Sequence, residues 1–276
     1  MSQSQMALRA PQQPITPPFF PSTRRRVADV LADLGQRAPT DREASVDARL
    51  VLTPDGRPIR SIRTGRRVIV TGSYSSKKAG RALPWESRYE CFFFHHCEVD
   101  VDVVDYCAQP LRIEFSDGGA KRIYIADCAR LLADGAFEIV EIKSDRKYAK
   151  DPHYARKLEG VARICATLGW RFKMVFQDEL VNPPARWANI RLIQSKRTVS
   201  FNAVDVYAAL QVIQDEGGTA TFGSVAEALG DPRVGRAKTM AMMVGRVLEL
   251  DLSKPLSAET SVTAVATAPA KARELF

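Results

Sequence analysis

No stretch of the 276 residues approaches the ~18 consecutive apolar residues that a membrane-spanning helix needs. The opening MSQSQMALRAPQQPITPPFF lacks the apolar centre of a signal peptide, so the sequence predicts a cytoplasmic protein with no membrane role. Cysteine is scarce and unpatterned: five residues, at 91, 97, 107, 128 and 165, never form a C-x-x-C pair. They read as reduced, mostly buried thiols. Histidine is scarcer still, at three residues. Cys91, His95, His96 and Cys97 stand close together, but no second cluster at structural-zinc spacing follows. These four are therefore expected to pack on a helix beside Phe92–Phe94. Acidic residues are outnumbered, 32 Asp+Glu against 40 Lys+Arg, for a net charge of +8. That balance favours a polyanionic partner without requiring one.

Hydrophobic residues make up 45% and charged residues 26%, the proportions of an ordinary globular chain. Residues 1–22, with five prolines, read as a disordered arm. A short amphipathic helix is expected over 26–35, loop over 36–60, and a strand at RVIVTG (67–72). Residues 61–81 carry six Lys/Arg and no acid. Within this basic loop Lys77, Lys78 and Arg81 are candidates for DNA phosphate contacts, although a solvated loop explains the charge equally well. A helix is expected from near Pro84 to His96, then an extended valine-rich segment to Cys107, with Glu98, Asp100, Asp102 and Asp105 as solvated charges.

QPLRIEF (109–115) and KRIYIAD (121–127), separated by SDGGA, predict a hairpin. After a short loop comes a strand at 137–143. Asp151-Pro152 opens a helix that ends at Gly169, and RFKMVFQ (171–177) is another strand. PPARWANIRLIQSK is helical again. The order predicts an α/β fold, a mixed sheet flanked by helices. After residue 195 the pattern changes to three helices, the second capped by Ser224 and the third opened by Asp231-Pro232. The β-like stretches LELDL and SVTAVAT follow. That is the outline of a winged helix-turn-helix domain. The chain divides on this reading into an arm and linker at 1–60, a first domain at 61–195 and a second at 196–276. A cut near 195 should leave the first domain folded.

The run AFEIVEIKSD ends an apolar strand with Glu141 and Lys143 on one face, because side chains i and i+2 of a strand point together. Asp127 closes the preceding strand pattern. Two carboxylates at neighbouring strand ends suit a hard cation such as Mg²⁺. The lysine beside them can orient or deprotonate a water, or offset charge on a phosphate. Glu90, on the helix before, can complete the metal shell; Glu86, one turn earlier, competes for that role. The D-x(13)-E-x-K spacing alone arises by chance, and its placement on adjacent strands is the stronger signal.

These residues resemble the restriction-endonuclease-like (PD-(D/E)xK) superfamily and, within it, the TnsA family of endonuclease subunits of heteromeric bacterial transposases. The resemblance is carried by GSYSSKKAGR (72–81), ESRYE (86–90), VVDYCAQPLRIEF with Gln109-Pro110, YIAD (124–127) and EIKSD (141–145). It covers residues 64–180 and agrees with the winged-helix outline. The family's S-x-x-E spacing, here Ser87 to Glu90, favours Glu90 over Glu86. The resemblance implies catalytic Glu90, Asp127, Glu141 and Lys143. It implies Mg²⁺, replaceable by Mn²⁺, on Glu90, Asp127, Glu141 and the Ile142 backbone carbonyl. It also implies cutting of double-stranded DNA at the 5′ ends of a mobile element, beside a DDE-type transposase and an AAA+ ATPase regulator, on the bacterial nucleoid. In two places the chain departs from the family pattern: Ala126 replaces a frequent proline, and Glu141 stands where some members have glutamine. A stand-alone restriction or repair nuclease, and a DNA-binding regulator without catalysis, are the alternatives.

Overall fold

The computed structural model describes residues 25–36, 47–53, 58–59 and 70–266. The proline-rich arm, the first residues of RVIVTG and the arginines at 63–67 lie outside them. The chain opens with α1 (Val27–Gln36), close to the expected bounds. β1 (Ala48–Leu52) follows inside the stretch read as loop. It forms because its partner does: Arg49, Leu50 and Val51 align antiparallel with Glu114, Ile113 and Arg112.

The stretch read as a basic loop is a hairpin of β2 (Gly72–Ser76) and β3 (Arg81–Trp85). Because Pro84 and Trp85 complete β3, the next helix, α2 (Arg88–Val99), begins at Arg88. Ser87 caps it, its hydroxyl accepting from the Glu90 amide. β4 (Val103–Ala108), β5 (Leu111–Asp117) and β6 (Ala120–Ile125) follow, with the predicted hairpin between the last two. A strand missed in the sequence comes next, β7 (Cys128–Leu132), ahead of β8 (Phe137–Lys143).

The ladder of β4–β5 against β6–β7 is one long antiparallel pair bent in the middle. Ala108 faces Cys128 on one side of the bend, and Arg112 faces Ile125 on the other. The bend falls where Pro110 has no N–H to give and Gln109 adopts a positive φ of 45°. It sends β5 and β6 into a sheet of order β1-β5-β6, and β4 and β7 into a sheet of order β4-β7-β8-β9. Asp127 therefore does not end β6 beside β8, as the sequence suggested. It lies at the bend, and β7 carries its backbone to β8. Ala126 donates its N–H to the Leu111 carbonyl at 3.3 Å, a bond that a proline there would lose.

β8 is a central strand, buried everywhere except Lys143. It runs parallel to β9 (Arg171–Phe176), so the chain must cross over between them. The short α3 (Lys147–Lys150) and the long α4 (Pro152–Thr167) make that crossover. Asp151 caps α4 by accepting from the His153 and Tyr154 amides, and Gly169, at φ 73°, follows its end. α5 (Gln177–Val181) and α6 (Pro184–Ser195) complete this part.

Beyond residue 195 lie α7 (Ala203–Asp215), β10 (Thr219–Thr221), α8 (Phe222–Ala228), α9 (Pro232–Val244), β11 (Leu248–Leu250) and β12 (Ser261–Ala264). The three strands pair in the order β10-β12-β11. Thr221, not Ser224, caps α8; Ser224 is its reciprocal partner in a capping box. Gly235 allows α9 to pass close over α8, since a Cβ there would fall 1.9 Å from the Ala226 carbonyl oxygen.

Two packing features depart from the sequence reading. Glu98 is wholly buried, not solvated: its carboxylate accepts from Ser76 Oγ at 2.8 Å, the Lys77 and Lys78 amides, and Tyr106 Oη at 2.7 Å. Asp105 is buried too, accepting from the Val27 amide. Second, the C-terminal apolar core does not stop at residue 195. Val99, Val101, Ile190 and Ile193 belong to the same cluster as Val206, Met242 and Leu248. Asn189 of α6 fastens the join, its amide donating to the Leu252 and Lys254 carbonyls.

Two outcomes follow from this packing. Glu98→Ala strands several buried donors and should cost about 3 kcal/mol in urea denaturation, against near-zero for a surface glutamate. A fragment ending at residue 195 should bind a hydrophobic dye and lose its cooperative thermal transition, because the cut exposes Ile190, Ile193, Val99 and Val101.

Candidate active site

The carboxyl end of β8 gathers the candidate groups, at the kind of strand end where ligands commonly bind. Glu141 and Lys143 project together: Lys143 Nζ lies 2.5 Å from Glu141 Oε1 and 3.9 Å from Asp127 Oδ2. Ile142 packs the other way, and its amide donates to Asp127 Oδ2 at 2.8 Å. That single bond brings the Asp127 carboxylate from the sheet bend to the strand that holds its partners. The Tyr154 hydroxyl, from the first turn of α4, donates to Glu141 Oε1. Sequence reading placed Tyr154 in an apolar stripe; a half-buried tyrosine whose hydroxyl needs a partner was the available signal.

Glu90 sits in the first turn of α2, with its Oε2 accepting from the Glu86 amide at 2.9 Å. Burial raises its pKa, and that backbone bond pulls it partly back. The glutamate thus also serves as a capping group. Glu86 Oε1 accepts from the Gln109 side chain, which ties the start of α2 to the sheet bend. A cleft of ≈ 580 Å³ opens over these groups, with Glu86, Glu90, Asp127, Lys143, Tyr148 and Tyr154 among its lining residues. The structure thus brings Glu90, Asp127 and Lys143 to one cleft, and Glu141 packs against Lys143 at 3% exposure.

The three basic candidates separate. Lys77 is exposed. Lys78 is buried, with its ammonium donating to the Cys97 and Asp100 carbonyls, and burial pulls its pKa down to about 8. Arg81 is half-buried, its charge offsetting the rise that burial imposes on Cys107 and Asp105. Lys77 thus presents its charge to solvent, Lys78 does not, and Arg81 is intermediate.

The donor set fits a hard divalent cation. All its donors are oxygens, and Glu141 Oε2 is buried with no hydrogen-bond partner. Among the described residues no three His, Cys, Asp or Glu side chains gather closely enough to hold an ion alone. Mg²⁺ does not need three, because it keeps several waters and is commonly held by one or two carboxylates. Asp127 and Glu141, with the Ile142 carbonyl, are the groups that could hold it, and Glu90 faces them from α2. No described helix is long and apolar enough to cross a membrane.

The carboxylates are electrostatically crowded. Asp127 is pushed up to about 8, by burial first and the Glu141 charge second, against the pull of Lys143 and the Ile142 amide. Its folded-state pKa lies above the unfolded value of 3.8, so the folded chain keeps a proton that the unfolded chain has lost. This contribution is complete below the unfolded pKa and disappears as pH rises through the folded one. Metal-free protein should therefore lose stability between about pH 4 and about pH 8, and Asp127→Asn should flatten the slope. Urea denaturation in chelator at several pH values reads both.

Residues 100–177 match the family described as TnsA-like endonuclease N terminal. No curated protein matches the chain. The matched span runs from the end of α2 through β9, so it takes in the sheet bend, the β8 strand end and the crossover that carries Tyr154. Glu90 and the C-terminal helices fall outside it. The stretch that holds Asp127, Glu141 and Lys143 is thus similar to the N-terminal part of TnsA-like endonucleases.

Proposed function

We propose that this chain is the Mg²⁺-dependent DNA endonuclease subunit of a heteromeric transposase, cutting double-stranded DNA at the 5′ ends of a mobile element. The observation that carries the reading is the Ile142 amide bond to Asp127, which sets that carboxylate beside the Glu141–Lys143 pair under an open cleft. Asp127, Glu141, the Ile142 carbonyl and Glu90 would hold the cation. When bound, Mg²⁺ (or Mn²⁺) polarises the phosphate and makes a bound water a better nucleophile.

The chain's own residues supply the rest. Burial would pull the Lys143 pKa down, but the Glu141 and Asp127 charges outweigh it and hold the pKa up. Lys143 is thus an ammonium that donates to water or to a phosphate oxygen, rather than a base. Water adds to phosphorus and the bond to the 3′ oxygen breaks. That oxygen takes up a proton, leaving a 3′-hydroxyl and a 5′-phosphate. Exposed Lys147 and Lys150 of α3, next to the cleft residue Tyr148, offer the charge to hold a DNA backbone, and Lys77 adds to it from the β2–β3 turn.

The three helices and small sheet after residue 195 support the winged-helix reading, with contact to an AAA+ regulator, DNA or both. A DDE-type transposase would cut the other strand. These assignments rest on the family resemblance together with the net charge of +8.

The test is nicking of end-containing DNA with the partner subunits present. Asp127→Ala and Glu141→Ala should each lose about three orders of magnitude or more in rate. Lys143→Arg should lose about two, because the planar fork of arginine cannot reproduce a compact ammonium in a crowded site. Near-normal nicking by the arginine variant would reduce Lys143 to an ion-pair partner of Glu141.

A further inference from the structure

We propose that Tyr154 is a positioning residue of this site, one that loads a single oxygen of Glu141 and aligns the Lys143 ammonium, so that the second Glu141 oxygen is reserved for a metal ion. The proposal rests on the endonuclease reading above and assigns a role to a residue outside the acidic set and its lysine.

Its placement is fixed from two directions. The Asp151 cap accepts from the Tyr154 amide at 3.3 Å, so Tyr154 sits in the rigid first turn of α4. That helix is the crossover between β8 and β9, which holds the ring at a set distance from the β8 strand end. The hydroxyl donates to Glu141 Oε1, the same oxygen that Lys143 Nζ meets at 2.5 Å. Glu141 Oε2 is left buried and without a partner. With both donors meeting one oxygen, the carboxylate plane is held so that the other oxygen stays clear of them.

The ring has its own part. Lys143 Nζ lies 5.5 Å from its centroid and Lys157 Nζ lies 5.7 Å from it, so two ammonium groups share the tyrosine ring. Lys157 also lies 5.7 Å from the ring of buried Tyr124. Removing the hydroxyl takes one of the two donors from Glu141 Oε1 and leaves Lys143 on it, with the buried Tyr124 hydroxyl close to the same carboxylate. Removing the ring as well takes away the aromatic face over which the Lys143 ammonium sits, leaving it held by Glu141 and Asp127 alone among these contacts.

The experiment uses the full chain, stripped with chelator, with Mg²⁺ and Mn²⁺ titrated by calorimetry beside a nicking assay across Mg²⁺ concentrations. Tyr154→Phe should weaken metal binding about 10-fold and shift half-maximal nicking to higher Mg²⁺ by the same factor, while recovering most of the rate at saturation. Tyr154→Leu should show that weakening and also a lower saturated rate, because Lys143 is no longer aligned. A phenylalanine variant with wild-type metal affinity overturns the proposal, whatever its thermal midpoint, since the hydroxyl would then be structural only. A folded wild-type chain that binds neither ion overturns the endonuclease reading itself, and this proposal with it.

Discussion

The hydrogen bond from the Ile142 amide to Asp127 Oδ2 is the constraint on which the site depends. Asp127 belongs to a bend between two sheets, and Glu141 and Lys143 belong to a central strand of one of them. The β7–β8 ladder brings the Asp127 backbone alongside β8, and this bond fixes where its carboxylate sits. The bond is backbone to side chain, so the carboxylate is located by main-chain geometry and tolerates changes in neighbouring side chains. It also leaves one Asp127 oxygen outside the interaction. The bend that makes it possible comes from Pro110 and the positive φ of Gln109. Gln109 reaches from that bend to Glu86, so one local distortion positions both the aspartate and the start of α2.

α2 is held at both ends by carboxylates with opposite fates. Glu90 in the first turn faces the cleft, and Glu98 in the last turn is wholly buried. A buried glutamate is expensive unless several donors compensate it, and here the β2–β3 turn and Tyr106 supply them. Lys78, one of the DNA candidates by sequence, is part of the same cluster through the carbonyls of Cys97 and Asp100. The charge that suggested a surface role is used to lock the hairpin onto the helix. Trp187 of α6 closes the far side of α2, stacking on His95 and His96. Burial takes the His95 pKa down to about 4, so this contact is between neutral rings near neutral pH.

How legible this was depends on the range of the determining interaction. The hairpin around SDGGA, the Asp151-Pro152 helix start and the E-I-K strand end were readable because turn chemistry, caps and period-2 alternation act over a few residues. The Asp127–Glu141–Lys143 grouping was also legible, although through the wrong strand: CARLL at 128–132 looked like loop, and it is the strand that carries Asp127 to β8. β1 was invisible for the same reason, since ARLVL forms a strand only against β5. The burial of Glu98, Asp105 and Lys78 was not legible at all. Their partners are distant in sequence, and an acidic run such as EVDVDVVD looks the same whether its charges are solvated or compensated.

The join between the two halves is where the sequence and the packing part most clearly. Composition changes after residue 195, but α6 and the turn after α2 already belong to the C-terminal core. Arg246, just past the end of α9, donates from Nε to the Val101 carbonyl at 2.6 Å, and so closes the join from the C-terminal side. α2 has Glu90 in its first turn and reaches this shared core at Val99, so a helix about 18 Å long connects the cleft to the C-terminal helices. Such a helix transmits displacement rather than absorbing it. The C-terminal helices cannot swing freely on a linker, because doing so would open a packed apolar cluster and break the Asn189 and Arg246 bonds together. The C-terminal helices are therefore held at a fixed distance and angle from the carboxylates.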